Sequence, residues 1–204
     1  MQPFTTLEST AVRLPAANID TDQIVPARFL RNPRRDGYAH FLFHDQRFDA
    51  EGRPVADFAL NRPESAGAAI LVAGENFGCG SSREGAVYAL LDHGLRCVIA
   101  PSFGDIFRNN CHKNGVLPVA MTPEDIEALC GTPPPGQAPR LRVDLAAQEV
   151  SGNGRTVRFD IAPFWKDCLL NGWDDIDLTL RHRERIAAFA ARRFAEHPWV
   201  KPSR

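Results

Sequence analysis

The sequence predicts an α/β fold in a single domain spanning residues 1–204, with a parallel βαβαβ core followed by a hairpin and helices. Three observations predict it. Short apolar runs alternate with helical patterns through the middle of the chain, N-capping residues and glycines separate the segments, and later segments alternate in polarity about a turn. Of the 204 residues 44% are apolar and 24% charged, which is typical of a soluble chain that buries a core.

The parallel core is predicted from apolar runs and helix-end signals between residues 68 and 131. Each apolar run is short enough for a buried strand, and each helical pattern ends near a glycine. Strands are predicted at residues 68–73, 96–100 and 116–121, and helices from Ser81 to Gly94, from Phe103 to Lys113 and from Thr122 to Gly131. Ser81 is expected to cap the first helix, in a capping box closed by Glu84.

The C-terminal third is predicted to contain a loop, a hairpin and helices. Residues 131–139 include four prolines and are expected to form a Pro-rich internal loop. Residues 141–145 and 156–161 alternate in polarity about a turn at Ser151–Gly154, which predicts that they pair as a hairpin. From Asp177 onward the pattern is helical.

Composition excludes several classes of partner and cofactor. Lysine and arginine number 24 against 25 for aspartate and glutamate, so the net charge of -1 indicates no nucleic-acid or membrane partner. The N-terminus lacks the regions of a signal peptide, and no apolar run approaches the roughly 20 residues that span a bilayer, so a cytoplasmic protein is expected. Five cysteines include no C-x-x-C pair, which predicts neither a disulfide framework nor a self-contained metal site.

The most informative segment is G-E-N-F-G-C-G-S-S-R-E at residues 74–84, which we call the glycine loop. Its glycines let backbone N–H groups approach a ligand, and the helix that follows directs its positive end toward the same place. Ser81 and Ser82 add hydroxyls and Arg83 a guanidinium, a combination suited to binding a carboxylate or to stabilising a serine that takes a proton. It is not a P-loop, because no Gly-Lys-Ser/Thr follows, and Arg83 replaces the third glycine of a dinucleotide fingerprint.

Two other interpretations of the glycine loop stay open at this point. Ser81 could serve as an N-cap and nothing more. Cys79 could be a nucleophile activated by the helix end, with His93 or His112 as its base.

A second notable segment is N-I-D-T-D-Q-I-V-P-A-R-F-L at residues 18–30. Its two acids, Asp20 and Asp22, lie two residues apart and are followed by Pro26, which predicts an exposed turn and no helix.

Together these segments resemble the small subunits of the 3-isopropylmalate dehydratases, the detached swivelling domain of the aconitase superfamily. The resemblance covers nearly the whole chain and rests on five blocks in order. They are N-I-D-T-D-Q-I-x-P-A-R-F-L at 18–30, G-E-N-F-G-C-G-S-S-R-E at 74–84, A-P-S-F-G-D-I-F at 100–107, G-V-L-P-V at 115–119 and C-L-L-N-G-W-D-D-I at 168–176. The fold that this resemblance implies is a compact β/β/α swivelling unit of the aconitase type.

The resemblance also implies a reaction and a partner. Family members isomerise 2-isopropylmalate to 3-isopropylmalate in leucine biosynthesis, by removing water and adding it back through the alkene 2-isopropylmaleate. In aconitase-like enzymes the open iron of a [4Fe-4S] cluster binds the leaving hydroxyl. Cysteines of a large subunit hold that cluster, so this chain is expected to bind no cofactor itself and to act with a large, cluster-bearing partner on a small hydroxy-diacid.

Specific residues match the family's functional positions. The resemblance implies that Ser81 is the catalytic base and that Asp22 is a catalytic acid group that orients an arginine or relays a proton. Ser82 and Arg83 match the carboxylate-binding pair, with Gly80 contributing a loop amide.

The substrate-specificity loop of the family corresponds to residues 28–38. Arg28, Phe29, Leu30 and Arg31 are its expected members, and Phe29 and Leu30 would suit an isopropyl group. Arg31 lies among further arginines in the same stretch, which is less suited to an apolar branch.

One departure from the family pattern concerns the residue after Glu84. The family usually continues S-S-R-E-H-A-x-W, whereas this chain has Gly85 in place of the histidine. This raises two alternatives: a paralogous small chain acting on another hydroxy-diacid such as a methylmalate, and a non-catalytic module that binds anions or has a regulatory role.

The C-terminal stretch from residue 181 to 204 carries seven basic residues against two glutamates. Four apolar side chains fall on one helical face, namely Ile186, Phe189, Ala190 and Phe194. This pattern is typical either of a solvated basic face above an intramolecular core stripe or of a surface that docks on the large subunit.

Overall fold

The computed structural model describes residues 1–202 and divides by internal contacts into two compact units, Met1–Gly172 and Trp173–Arg204. The single domain predicted for residues 1–204, whose last two residues lie outside the described part, stays a prediction. The first unit contains the sheet and the two segments expected to form the site, residues 18–30 and the glycine loop at residues 74–84.

Seven strands form one mixed sheet in the first unit. Their bounds are β1 Thr6–Leu14, β2 Ile70–Ala73, β3 Cys97–Ala100, β4 Leu117–Ala120, β5 Arg140–Asp144, β6 Glu149–Gly152 and β7 Arg155–Arg158. They lie in the order β4-β3-β2-β1-β5-β6-β7. β1 to β4 are parallel neighbours, and β1 pairs antiparallel with β5, so β1 joins a parallel half to an antiparallel half.

Helices cover both faces of the sheet. Those of the first unit are α1 Thr21–Ile24, α2 His44–Arg47, α3 Glu84–His93, α4 Asp105–Asn114, α5 Pro123–Cys130 and α6 Pro163–Asn171. Because successive strand residues point to opposite faces, Leu71 packs with α3 and α4 whereas Val72 packs with α5 and α6. The sheet thus lies between two apolar layers, which confirms the predicted α/β class.

Several helix ends agree with their sequence signals. Gly94 and Gly115 adopt the left-handed conformation directly after α3 and α4. The Thr122 side chain accepts a hydrogen bond from the Asp125 backbone and caps α5.

The predicted hairpin is wrong in its partners. β5 and β7 are not neighbours, because β6 lies between them and pairs with both. The tight turn is Asn153–Gly154, both with positive φ, and Ser151 belongs to β6. Residues 131–139 form a loop without helix or strand, as predicted.

The long connection between β1 and β2 carries the second candidate segment. The prediction that Pro26 and the acids exclude a helix there is wrong, because one helical turn, α1, fits before the proline. Asp20 caps it, accepting from the Gln23 backbone while the Gln23 side chain accepts from the Asp20 N–H. Five 3₁₀ turns follow before β2, at Ala27–Arg31, Arg34–Asp36, Ala39–Phe41, Ala59–Asn61 and Pro63–Ser65.

The second unit contains α7 Asp175–Leu180 and α8 Arg183–Glu196, and neither helix contains a buried residue. This confirms the predicted helical C-terminus, which begins two residues before Asp177. Ile186 and Phe189 are 46% and 58% exposed, so the apolar stripe of α8 forms no core in the described chain. Arg204, counted in the basic stretch, lies outside the described residues.

No helix within residues 1–202 combines the length and apolar character needed to cross a membrane.

Candidate active site at the glycine loop

The glycine loop leaves the carboxyl end of β2 and reaches the start of α3 through left-handed backbone positions. Asn76, Gly78 and Gly80 have φ values of 56°, 72° and 88°. A Cβ built on Gly78 would lie 2.2 Å from Cγ of Phe107, so glycine is required there by both conformation and space.

The two candidate segments are hydrogen-bonded to each other along their length. The Gly78 N–H donates to the Ile19 carbonyl at 2.8 Å, and the Thr21 N–H donates to the Cys79 carbonyl at 3.0 Å. The buried Thr21 hydroxyl then donates to the Ser81 carbonyl at 2.9 Å. The sequence segments at 18–30 and 74–84 therefore form one structural unit.

The predicted capping role of Ser81 is wrong. Arg83 occupies the N-cap of α3, which begins at Glu84, and no side chain caps it. The physical reason is the long-range bond from Thr21, which ties the Ser81 carbonyl to the other segment. Within the described residues no side chain caps the first turn of α3. The Ala86 N–H donates to the Arg83 carbonyl at 3.2 Å, and a bound anion could accept from the remaining N–H groups of this turn.

Arg83 and Asp22 form an ion pair across the two segments. The Arg83 side chain is 17% exposed and that of Asp22 53% exposed. Nη1 of Arg83 is buried, and although it contacts the Asp22 carboxylate it makes no hydrogen bond of good geometry. The guanidinium lowers the pKa of Asp22, with a further contribution from the Ala27 backbone N–H, so this carboxylate stays charged at neutral pH.

The two serines lie beside this ion pair and are exposed. Gly80 is exposed as well, and a Cβ built there would lie 3.4 Å from Cβ of Asp20. Ser81, Ser82 and Arg83 thus lie at an open rim rather than in a closed pocket.

The alternative with Cys79 as nucleophile gains no support from the positions of its two expected bases in the described chain. His93 lies at the far end of α3, which at ten residues is about 15 Å long. His112 is buried in α4 and stacks on Trp165 at 5.0 Å.

The predicted specificity loop separates into two parts. Arg28 forms an ion pair with Asp45, and its guanidinium lies 4.5 Å from the Phe29 ring centroid. Phe29 stacks on Phe41 with centroids 4.4 Å apart, so it belongs to an aromatic cluster. Arg28 and Phe29 therefore interact mainly within the long connection.

Leu30 and Arg31 are both exposed, and Leu30 contacts α3. A Cβ built on Gly85 would lie 2.8 Å from Cδ2 of Leu30. Among the predicted members, Leu30 thus contacts Gly85 in the first turn of the helix that follows the glycine loop.

Sequence reasoning missed two residues that organise this region, Thr21 and Tyr38. Tyr38 is buried, its hydroxyl donates to the Asn32 carbonyl at 2.9 Å, and its N–H donates to the Asp92 carboxylate at 2.7 Å. Arg34 also pairs with Asp92 and is drawn to α3. Thr21 bonds to Ser81 and Tyr38 bonds to Asp92, and each pair is more than fifty residues apart in the sequence. No local pattern could therefore reveal these contacts.

The donor groups of the chain do not fit an iron–sulfur cluster. Within the described residues no three His, Cys, Asp or Glu side chains are grouped so as to hold a metal ion. Burial raises the pKa of the Cys97 and Cys111 thiols, which disfavours the thiolate form that ligates iron.

Comparisons with known proteins agree with this architecture. Residues 1–124 match the family described as the aconitase C-terminal domain, and residues 175–203 match the C-terminal domain of the 3-isopropylmalate dehydratase small subunit. The 3-isopropylmalate dehydratase small subunit of Rhodospirillum centenum is 50% identical over 201 residues, which cover 98% of this chain and 99% of the relative. That of Paramagnetospirillum magneticum is 49% identical, covering 98% and 100%.

A solved structure shows the same fold. The crystal structure of 3-isopropylmalate dehydratase from Methanocaldococcus jannaschii aligns with a TM-score of 0.64 at 26% identity, covering 91% of this chain and 99% of that one. The chain therefore belongs to the family of 3-isopropylmalate dehydratase small subunits, within the aconitase superfamily.

Proposed function

We propose that this chain is the small subunit of a 3-isopropylmalate dehydratase, a cytoplasmic hydro-lyase of leucine biosynthesis. The enzyme interconverts 2-isopropylmalate and 3-isopropylmalate by dehydration and rehydration through 2-isopropylmaleate. The observation that carries this proposal is the joining of the two family segments, which brings Asp22 to Arg83 beside Ser81. The likeness to relatives of that name over 98% of the chain supports it further and does not favour the methylmalate or regulatory alternatives.

Arg83 is the proposed carboxylate-binding residue. A guanidinium offers five N–H donors. Asp22 contacts the Nη1 side of the Arg83 guanidinium, so other donors of this group remain for a substrate carboxylate. The exposed Ser82 hydroxyl, the Gly80 amide and the uncapped start of α3 add donors at the same rim. Asp22 then holds the guanidinium in place, which is an orienting role.

Ser81 is the proposed base. It would take the proton from the carbon next to a substrate carboxylate, while the electron pair of that C–H bond forms the alkene and hydroxide leaves the neighbouring carbon. Ser81 needs a nearby positive charge to act as an alkoxide, and Arg83 is two residues away with a mostly buried guanidinium.

We assign the remaining half of the site to a large subunit. The rim is open and its serines are exposed, which suits a site that a second chain closes. Because the donors of this chain do not fit a cluster, the [4Fe-4S] cluster is proposed to belong to that partner. The exposed apolar residues of α8 are a further candidate surface for docking on it.

The substrate's isopropyl group is proposed to contact the specificity loop. Leu30 is the member best placed for this role, because it contacts α3 and is 37% exposed. Arg28, Phe29 and Arg31 would complete the loop around it.

The proposal is tested by mixing the chain anaerobically with a cluster-loaded large subunit from the same source. Alkene formation from 2-isopropylmalate should require both chains and should exceed that from 2-methylmalate. Preference for 2-methylmalate would instead support the paralogue, and tight binding of a metabolite by the isolated chain, without turnover in the complex, would support the regulatory module.

A further inference from the structure

Gly85 lies in the first turn of α3 and is buried, yet its backbone does not require glycine. It is absent from the positions with positive φ. Glycine is also the least favourable helix residue after proline. Glycine at this position is therefore explained by the neighbouring atoms that fill the space where a side chain would lie.

The space is filled by side chains of the long connection. A Cβ built on Gly85 would lie 2.8 Å from Cδ2 of Leu30 and 3.3 Å from Cε1 of Tyr38. The first distance is shorter than real Cβ contacts allow. Gly85 thus forms a notch on α3 that receives the end of the Leu30 side chain.

The two neighbours of the notch differ in their freedom to move. Tyr38 is 4% exposed, donates two hydrogen bonds and packs edge-on against both Phe41 and Tyr88. Leu30 is 37% exposed, and the contact involves the end of its flexible side chain. A methyl group added to the notch would therefore displace Leu30, away from α3, rather than Tyr38.

The notch is close in sequence to the ion pair of Arg83 with Asp22, at the start of the same helix. Gly85 follows Arg83 by two residues, and the Ala27–Arg31 turn that carries Leu30 begins five residues after Asp22, the partner of Arg83. From this geometry we propose that Gly85 is a positioning residue that sets how far Leu30 projects toward the alkyl branch of the substrate. The inference rests on the proposed function and adds the residue that tunes side-chain selectivity.

The test is Gly85→Ala in the complex with the large subunit. A displaced Leu30 should leave less room for the alkyl branch of the substrate. The larger isopropyl group should suffer more than a methyl group, so kcat/KM for 2-isopropylmalate should fall about tenfold relative to that for 2-methylmalate, mainly through KM. The melting temperature should stay unchanged or rise, because alanine favours the helix. Ala89→Gly, buried in the same helix, is the matched control, and should lower the melting temperature without changing the substrate ratio.

A second pair of variants tests whether Leu30 mediates the effect. In a Leu30→Ala background the end of the side chain is gone, so adding Gly85→Ala should change the substrate ratio less than about twofold. A ratio that Gly85→Ala leaves unchanged in an active complex, or changes equally with and without Leu30, would overturn the inference alone. A native complex that turns over neither substrate would overturn the proposed function and this inference with it.

Discussion

Arg83 and Thr21 show how single residues assemble this site from distant parts of the chain. Arg83 matches a carboxylate-binding position in its sequence motif, and the structure places it at the N-cap of α3 against Asp22. Thr21 has no such motif role, yet its hydroxyl fixes the Ser81 carbonyl. The sequence motif could therefore indicate candidate residues for the chemistry, and their roles stay predictions. The hydrogen bond that holds the Ser81 carbonyl joins residues sixty positions apart, which no local pattern reveals.

His112 is a second residue whose environment has a measurable consequence. It is 3% exposed and stacks on Trp165, and within residues 1–202 neither of its ring nitrogens has a hydrogen-bond partner. Burial, with a smaller contribution from Arg108, lowers its pKa from 6.5 to about 4. The folded state therefore holds this imidazole neutral over a pH range in which the unfolded chain protonates it.

We expect this histidine to make the protein less stable in mild acid. Below pH 6.5 the unfolded state binds the extra proton, so the free energy of unfolding should fall between pH 6.5 and 4, by about 2 kcal/mol at pH 4.5. His112→Phe keeps a ring against Trp165 and should remove most of this loss. Denaturant unfolding of the native protein and of His112→Phe at pH 7 and 4.5 measures the loss in each. An equal pH dependence in the two proteins would show that His112 does not cause the loss of stability in acid.

Individual elements were predictable where local signals determine them. Gly115 ends α4 and Thr122 caps α5, as their sequence positions predict. β6 was not predictable, because Ser151 and Gly152 suggest a turn. A Cβ on Gly152 would lie 2.4 Å from Cδ2 of Leu141, so close packing against β5 favours a glycine as the last residue of this strand.

The connection from β2 to α3 gives a prediction about Gly78. Gly78→Ala would add a Cβ 2.2 Å from Phe107 at a residue with φ of 72°, so both overpacking and backbone strain oppose it. We expect a loss of about 3 kcal/mol in the free energy of unfolding. Gly52→Ala is the matched control, because Gly52 has φ of 78° with nothing within 4 Å of the added Cβ.

The free energy of unfolding of the Gly52→Ala control should fall by only about 1 kcal/mol, because backbone strain alone opposes the substitution. Equal losses for the two variants, measured by urea unfolding, would show that the contact with Phe107 does not constrain the glycine loop.

At the scale of the whole molecule, the alternation of apolar runs and helical patterns predicted the α/β class correctly. It could not predict that an antiparallel half would join the parallel half through β1 in one sheet. The pairing of β1 with β5 joins residues at least 130 positions apart, so no pattern within either strand specifies it. The open rim is likewise a property of the assembled molecule.

Both apolar layers of the sheet are built from residues of the first unit. α7 and α8 contain no buried residue. A chain ending at Gly172 should therefore keep its melting temperature within about 4 °C, since little apolar surface is lost from its core. Calorimetry of the two chains checks this, and a collapse of the shortened chain would contradict it.

Docking of α8 on the large subunit is tested separately in the folded protein. Deleting residues beyond Arg192 should weaken the complex in a sedimentation or titration experiment, because Phe194 and the exposed Trp199 are removed. Unchanged affinity would count against α8 as part of the interface.

The central claim is that Ser81 acts as the base in a site shared with a large subunit. The measurement that tests it most directly is alkene formation from 2-isopropylmalate by the anaerobic complex, comparing the native chain with Ser81→Ala. Ser151→Ala, in the antiparallel half of the sheet, is the matched control. We predict that Ser81→Ala lowers kcat by at least about a thousandfold while the complex still forms, and that the control stays near the native rate. Native-like turnover by Ser81→Ala would contradict the account.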